Sequence, residues 1–436
     1  MKQRLLLTLF ALFSATISWA DVEINEENFP DEIFRNWVLS QDYGTDGVLT
    51  NVEIAGVKDI SVQTMGIQSL KGIEYFTRLE YLFCFSNQLT ELDLSQNTKL
   101  EVLSCGDNQL TTLDMSKNTL MNELECNNNK LTELNVSRNT NLKYLYCNDN
   151  QLAELDLTRI SGLIYLHCCG NQLSNLNLNR HTSLIMLDCM ENQLTSLDIS
   201  KNTALAKLFC TGNQLTELNV SKNIALTELS CYGNQLTAID VSRCTKMSYL
   251  NCGNNQLTEL NVSRNTTLES LLCTGNQLTT LDLSKNIALS YLDCSNNQLA
   301  ALDMTKNTLL TTLVCALNQI NGEAMDALVE SLPSVTDGIM PVVYYENEQN
   351  VMTTDQVLAA KTKGWTPLWC TGVNVQGELN WEEYTGSDED TDTISLSEEL
   401  RLKSEESSGI YNLSGQRLGK MQKGINIVDG KKIITK

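Results

Sequence analysis

Apolar and polar positions recur along most of the chain with a single long period. Over residues 79–320 a block of 21 positions repeats twelve times as L-x-x-L-x-C-x-x-N-Q-L-T-x-L-D-L-S-K-N-x-x, seen cleanly in residues 205–225, LAKLFCTGNQLTELNVSKNIA. Cysteine marks every block without a slip: Cys84, Cys105, Cys126, Cys147, Cys168, Cys189, Cys210, Cys231, Cys252, Cys273, Cys294 and Cys315. Apolar residues alternate around it, as at Leu208 and Cys210, which predicts a short strand with one face buried. The neighbour of each strand is its equivalent one block away, so the sheet is parallel. Asparagine three residues after the cysteine, from Asn87 to Asn318, predicts a side-chain ladder that satisfies main-chain groups where the chain turns. Leucines five, eight and ten positions after the cysteine fill the coil, and since no block can bury them alone, neighbours must stack. The second half, L-T-E-L-D-L-S, predicts a short extended segment on the outer side rather than a long helix.

The first half of the block is similar to the leucine-rich-repeat consensus with cysteine at its central apolar position. With its 21-residue length and cysteine column, the unit resembles the internalin-type bacterial leucine-rich repeat. That resemblance implies the α/β repeat class, mostly β: a solenoid with a concave parallel sheet, short extended outer segments and few helices. It also implies a surface adhesin or other binding protein, without naming the partner.

The cysteine column itself reads as packing. A small buried thiol suits a narrow coil, and in-register side chains on parallel strands do not offer the geometry of an unstrained disulfide.

The flanks divide as follows. Residues 1–20, MKQRLLLTLFALFSATISWA, place Lys2 and Arg4 before an apolar run and end in a small-x-small site, the pattern of a secretory signal. Residues 21–78 are the N-terminal cap, with Phe29, Ile33, Phe34 and Trp37 at helical spacing. Within the cap, Asp42, Asp46, Gly47 and Glu53 resemble positions one, five, six and twelve of an EF-hand loop, with Gly44 where a third carboxylate would stand. They are the candidate ligands of a weak calcium ion. The other reading is a tight turn, and no cofactor is required. Residues 321–385 form the C-terminal cap, with NGEAMDALVESLPSV as a short amphipathic helix and Trp365, Trp369 and Trp381 sealing the core. An acidic flexible linker spans 386–408. Residues 409–436, GIYNLSGQRLGKMQKGINIVDGKKIITK, resemble a short type IX secretion sorting tail and predict a small β-hairpin module.

Charge narrows the partners. The formal net charge is −22, and loss of Lys2 and Arg4 with the signal makes it −24. Nucleic acid and anionic lipid are repelled by such a chain. No later segment reaches about 20 unbroken apolar residues, so the mature chain is expected to be secreted, extracellular or attached at the cell surface, and not transmembrane.

The sequence holds no G-x-S-x-G, H-E-x-x-H or phosphate-binding glycine loop, so no catalytic residue is assigned and the chain is read as a non-enzyme. Of its two histidines, His181 stands where most blocks carry asparagine and reads as a polar loop substitution. His167 falls in register with Tyr146 and Asp188 beside Cys169. A general base and a nucleophile could be drawn there, but a polar spot in an open binding face fits better.

Aromatic residues carry the strongest functional signal. Within the repeats they are Tyr81, Phe83, Phe85, Tyr144, Tyr146, Tyr165, Phe209, Tyr232, Tyr249 and Tyr291, each one or three residues before a cysteine or one after it. Those columns alternate with the buried ones and must project from the concave sheet. With His167 they form the candidate ligand-binding face for a protein on a host or neighbouring cell. The alternative ligand is a glycan stacked on the tyrosines. A row of bases, Lys117, Arg138, Arg159, Arg180, Lys201, Lys222, Arg243, Arg264, Lys285 and Lys306, reads as a solvated edge; the other reading is a site for an anionic polymer, which the overall negative charge opposes.

Overall fold

The computed structural model describes residues 21–373 and 379–387 and the strands between 410 and 435. The expected signal segment and most of the acidic linker lie outside the described residues. The chain forms two compact units that divide at His181 and Thr182.

In the first unit, β1 (Val22–Glu23) pairs antiparallel with β2 (Val48–Leu49) beside helices α1 (Glu32–Ser40) and α2 (Asn51–Gly56). Helix α1 begins later than the apolar spacing suggested. Pro30 and the Asp31 carboxylate, which accepts from the Phe34 amide at 2.9 Å, fix its start, so Phe34 and Val38 form its buried face. Phe29 is buried ahead of the helix, and Ile33 is exposed. Six parallel strands follow in register: β3 (Asp59–Ser61), β4 (Tyr81–Phe83), β5 (Val102–Ser104), β6 (Glu123–Glu125), β7 (Tyr144–Tyr146) and β8 (Tyr165–His167).

The second unit is built from the same kind of coil, with β9 (Met186–Asp188), β10 (Lys207–Phe209), β11 (Glu228–Ser230), β12 (Tyr249–Asn251), β13 (Ser270–Leu272), β14 (Tyr291–Asp293) and β15 (Thr312–Val314). Neighbours are again parallel and unslipped. Helix α3 (Gly322–Ser331) then replaces the extended outer segment and leads to β16 (Gly338–Val343), and α4 (Thr354–Thr362) leads likewise to β17 (Trp365–Val373). Strand β18 (Leu379–Glu383) closes antiparallel on β17. Near the end of the chain, β19 (Ile410–Tyr411), β20 (Arg417–Leu418), β21 (Gly424–Val428) and β22 (Lys431–Thr435) pair antiparallel in the order β20-β19-β21-β22. No helix among the described residues is long and apolar enough to cross a membrane.

Each coil is built the same way. The central leucine of the strand and the cysteine two residues later are buried, and all fifteen cysteines are free thiols. Two residues after the cysteine the chain turns left-handed, at φ 64° for Gly212 and 47° for Asn254, which is why glycine, asparagine and aspartate recur there. The next residue is the ladder asparagine. Asn213 donates to the carbonyls of Cys189 and Cys210 at 3.0 and 3.1 Å and accepts from the Leu194 amide at 3.0 Å, so its amide ties one coil to the coil before it.

A second ladder runs through the outer turn. Asn223 donates to the carbonyls of Ile199 and Asn202 at 3.1 and 2.8 Å, and Asn118, Asn139, Asn265, Asn286 and Asn307 repeat the pattern from fully buried positions. Here the reading of His181 as a loop residue is corrected. It occupies this interior column, is buried, and bonds toward the Leu157 carbonyl, one coil back as the asparagines do. Cys244 replaces asparagine in the same column, its thiol facing the carbonyls of Val220 and Asn223 at 3.8 and 3.6 Å.

Candidate functional site on the outward sheet face

Three-residue strands leave two side chains per coil pointing away from the core. In β7, Tyr144 and Tyr146 are half-buried on either side of the buried Leu145, and the central leucine is buried in the same way in each repeat strand. Within each unit the aromatic columns therefore lie on the side of the strands away from the core. In the first unit Tyr81 is exposed, while Phe83, Phe85, Tyr144, Tyr146, Tyr165 and His167 are half-buried beside it or across the strands. Register brings Tyr144 against Tyr165, edge to face with centroids 5.5 Å apart, and Tyr146 against His167, stacked at 4.9 Å. Cys169 is half-buried just past the end of β8, and Asp188 belongs to the second unit.

Strand β6 supplies two carboxylates to this face. Glu123 pairs in register with Tyr144, and Glu125 with Tyr146. The Ser104 hydroxyl donates to the Glu125 carboxylate. Burial, then the neighbouring Glu125 carboxylate, push the Glu123 carboxyl above the usual range; burial followed by Glu123 and Glu125 raises the Tyr146 phenol.

In the second unit Phe209, Tyr232, Tyr249 and Tyr291 are half-buried on the corresponding face. A shallow cleft of about 600 Å³ opens there between Met186, Met190, Phe209, Glu228, Tyr249 and Glu269. Lys207 and Glu228, in register on adjacent strands, form an ion pair at 2.7 Å. The Asn254 side chain donates to the Tyr232 hydroxyl and fixes that ring.

Two of the candidate calcium ligands, Asp46 and Glu53, are engaged in hydrogen bonds within the cap. Glu53 closes a capping box on Thr50, accepting from its amide at 2.8 Å and its hydroxyl at 2.7 Å, and Asp46 accepts from the Val48 amide at 3.1 Å. Gly44 packs so tightly on helix α1 that a β-carbon would stand 2.2 Å from the Val38 carbonyl oxygen. The gap in the EF-hand pattern is thus a packing requirement of the cap. Among the described residues no three carboxylate, histidine or cysteine side chains gather as a metal set.

One aromatic group lay beyond the sequence pattern. After β16, Tyr344 packs on Tyr345 with centroids 4.7 Å apart and edge-on to Trp381 at 6.3 Å. Its only signal is the Tyr-Tyr doublet ending the run GIMPVVYY, outside the 21-residue period. Trp369 and Trp381 are half-buried on this terminal sheet, whereas Trp365 is core, its indole donating to the Pro333 carbonyl at 2.8 Å.

Comparison with known proteins agrees with this architecture. The family model described as leucine-rich repeats (2 copies) matches residues 77–118 and 224–265. The functional domain of InlJ from Listeria monocytogenes, described as including a cysteine ladder, is 29% identical with a TM-score of 0.60, over 86% of this chain and 94% of that one. The internalin InlF from the same species is 25% identical with a TM-score of 0.63, over 80% of this chain and 97% of its own. A Leptospira interrogans leucine-rich-repeat protein shares the fold at 23% identity, with a TM-score of 0.55, over 64% of this chain and 83% of its own. No curated protein matches the sequence. The chain carries leucine-rich repeats and is similar in structure to the Listeria internalins, including one with a cysteine ladder.

Proposed function

We propose that the chain is a secreted or cell-surface protein that recognises a protein ligand through the outward face of its repeat sheet, in adhesion or signalling. One observation carries this reading: in each unit the repeat aromatics lie on the side of the strands away from the core, while the interior of every coil is monotonous. Side chains that vary over a constant scaffold are what a binding surface needs, and aromatic anchors give most contact energy per residue. No reaction is assigned to the face, because open strands offer nothing to exclude water around a reacting group.

The test replaces Tyr144, Tyr146 and Tyr165 together by alanine. Capture of a surface-protein partner by the wild-type chain, lost in the variant at an unchanged melting temperature, supports the reading. Retained capture removes the aromatic face from it. A glycan array run with both proteins separates the alternative, since sugar binding lost in the variant would make the ligand a glycan.

A further inference from the structure

Charge in the first unit is sorted by face. In the first unit the outward strand positions hold three carboxylates, Asp59, Glu123 and Glu125, and no lysine or arginine. The row of repeat cations Lys117, Arg138, Arg159 and Arg180 is exposed in the outer turns instead, and Lys99, Lys130 and Lys143 are exposed outside the outward strand positions. In the outer turns the row accompanies carboxylates such as Asp114, held below the usual range by hydrogen bonds from Ser116 and, less strongly, by Lys117.

Glu123 and Glu125 stand out within this pattern. They project from one strand two residues apart, about 7 Å along the chain. Their in-register neighbours are Val102 and Tyr144 for Glu123, and Ser104 and Tyr146 for Glu125, so neither has a lysine or arginine opposite it in register on an adjoining strand. Among the described residues neither forms a salt bridge. The second unit shows what a matched pair looks like, with Lys207 meeting Glu228 at 2.7 Å on adjacent strands of the same face. Aromatic rings bracket the unmatched pair: Tyr81, Phe83 and Phe85 on one side, and Tyr144, Tyr146 and Tyr165 on the other. Carboxylates half-withdrawn from water beside ring faces favour a cation twice over, by charge and by the ring quadrupole.

We propose that the sheet face of the first unit docks a protein segment bearing lysine or arginine side chains, whose cations seat against Glu123 and Glu125 between the flanking aromatic groups. The proposal rests on the binding-face reading above and adds the chemistry of the partner. It places the extended basic segment across the strands, with the ring clusters taking its aliphatic stems. An anionic polymer is excluded at this spot by charge, and a neutral glycan has no use for two uncompensated carboxylates.

The probe is a fluorescent peptide of four Lys-Gly units, titrated against the full chain, with its fully acetylated form as the uncharged control. Glu123→Gln with Glu125→Gln keeps shape and removes charge, whereas Glu133→Gln with Glu154→Gln removes the same charge from exposed outer positions of the same unit. Weakening of about tenfold or more in the first variant, within about twofold in the second, and no binding of the acetylated peptide are expected. Equal weakening in both variants would mean attraction to the overall negative charge and overturn the proposal, as would equal binding of the acetylated peptide or none of the charged one. The tyrosine triple variant separates the two levels of inference. If a captured protein partner needs the tyrosines but not Glu123 and Glu125, the basic-segment proposal fails and the binding face stands; if it needs neither, both fall.

Discussion

Asn350 donates its side-chain amide to the main-chain carbonyl of Cys315 at 2.8 Å, across 35 residues rather than the 24 of a regular rung. It also donates to the Val342 carbonyl and accepts from the Ile320 amide, both at 2.9 Å, so it is a final rung of the asparagine ladder supplied from outside the repeats. Glu348 completes the closure, its carboxylate accepting from the amides of Leu317, Tyr344 and Asn350. Replacing Asn350 by alanine strands buried groups at the end of the stack, at a cost of about 2–4 kcal/mol. Because a solenoid opens locally, the loss shows first as faster amide exchange at Leu317 and Ile320. Unchanged exchange at both would mean that the end is held by packing alone.

Legibility followed the period. The strand, the cysteine column and the first asparagine ladder could be read because each occupies one phase of a repeat whose alternation fixes the face. The second asparagine could not, because the apolar spacing around it breaks alternation and an asparagine beside a lysine reads as solvated. His181, Ile160 and Cys244 were the available signal, since an isoleucine and a cysteine exchange with asparagine only where the position is interior, and all three are buried. Asn350, Tyr344 and helix α4 lie outside the period and had no phase to be read from. Glu53 was ambiguous for another reason: Thr50 and Glu53 fit a capping box as well as an EF-hand end, and spacing alone cannot separate them.

Burial pushes the ladder thiols far above their ordinary range, to about 12 for Cys84 and for Cys252. An unfolded thiol ionises near pH 8.5. The folded state therefore keeps protons that the unfolded state releases, and stability present below about pH 8.5 is lost as pH rises toward the folded values. Each such thiol contributes a slope of about 1.4 kcal/mol per pH unit in that window, and the column multiplies it. The melting temperature should be level from pH 7 to 8 and fall steeply above about pH 9. A melting temperature still level at pH 10.5 would contradict protonated, buried thiols.

His181 gives the opposite limb. Burial holds its imidazole below the usual value, outweighing the hydrogen bond to the Leu157 carbonyl that favours the charged form. Below about pH 6.5 the unfolded histidine takes up a proton that the folded one resists, so stability is lost as pH falls from 7 toward 5. His181→Asn restores the column's own residue, whose amide reaches one coil back as Asn139 reaches the Met115 carbonyl at 3.1 Å. Melting curves of the two proteins should converge at pH 8 and separate at pH 5.5, with the variant higher. Parallel curves across that range would show that His181 does not titrate between the folded and unfolded states.

Every surface assignment above depends on which side chains point inward, and adjacent residues of one strand test it. Cys210 is fully buried, its sulfur 3.5 Å from the Ser230 carbonyl, while Phe209 is half-buried on the outward face between Asp188 and Ser230. Cys210→Ala leaves a cavity smaller than a methyl group's neighbours can close, a cost of about 1–2 kcal/mol. Cys210→Asp places an unpaired charge in the coil and costs several kcal/mol. Phe209→Asp gives up part of one ring's burial and meets Asp188 across the strand, but its carboxylate reaches water, so the cost stays near 1 kcal/mol. Thermal melts should rank Cys210→Asp lowest by a wide margin, with the other two close to wild type. Alternation flips the face at each step, so similar melting temperatures for Cys210→Asp and Phe209→Asp would reverse the inward and outward columns, and the aromatic face and its basic ligand would be lost with them.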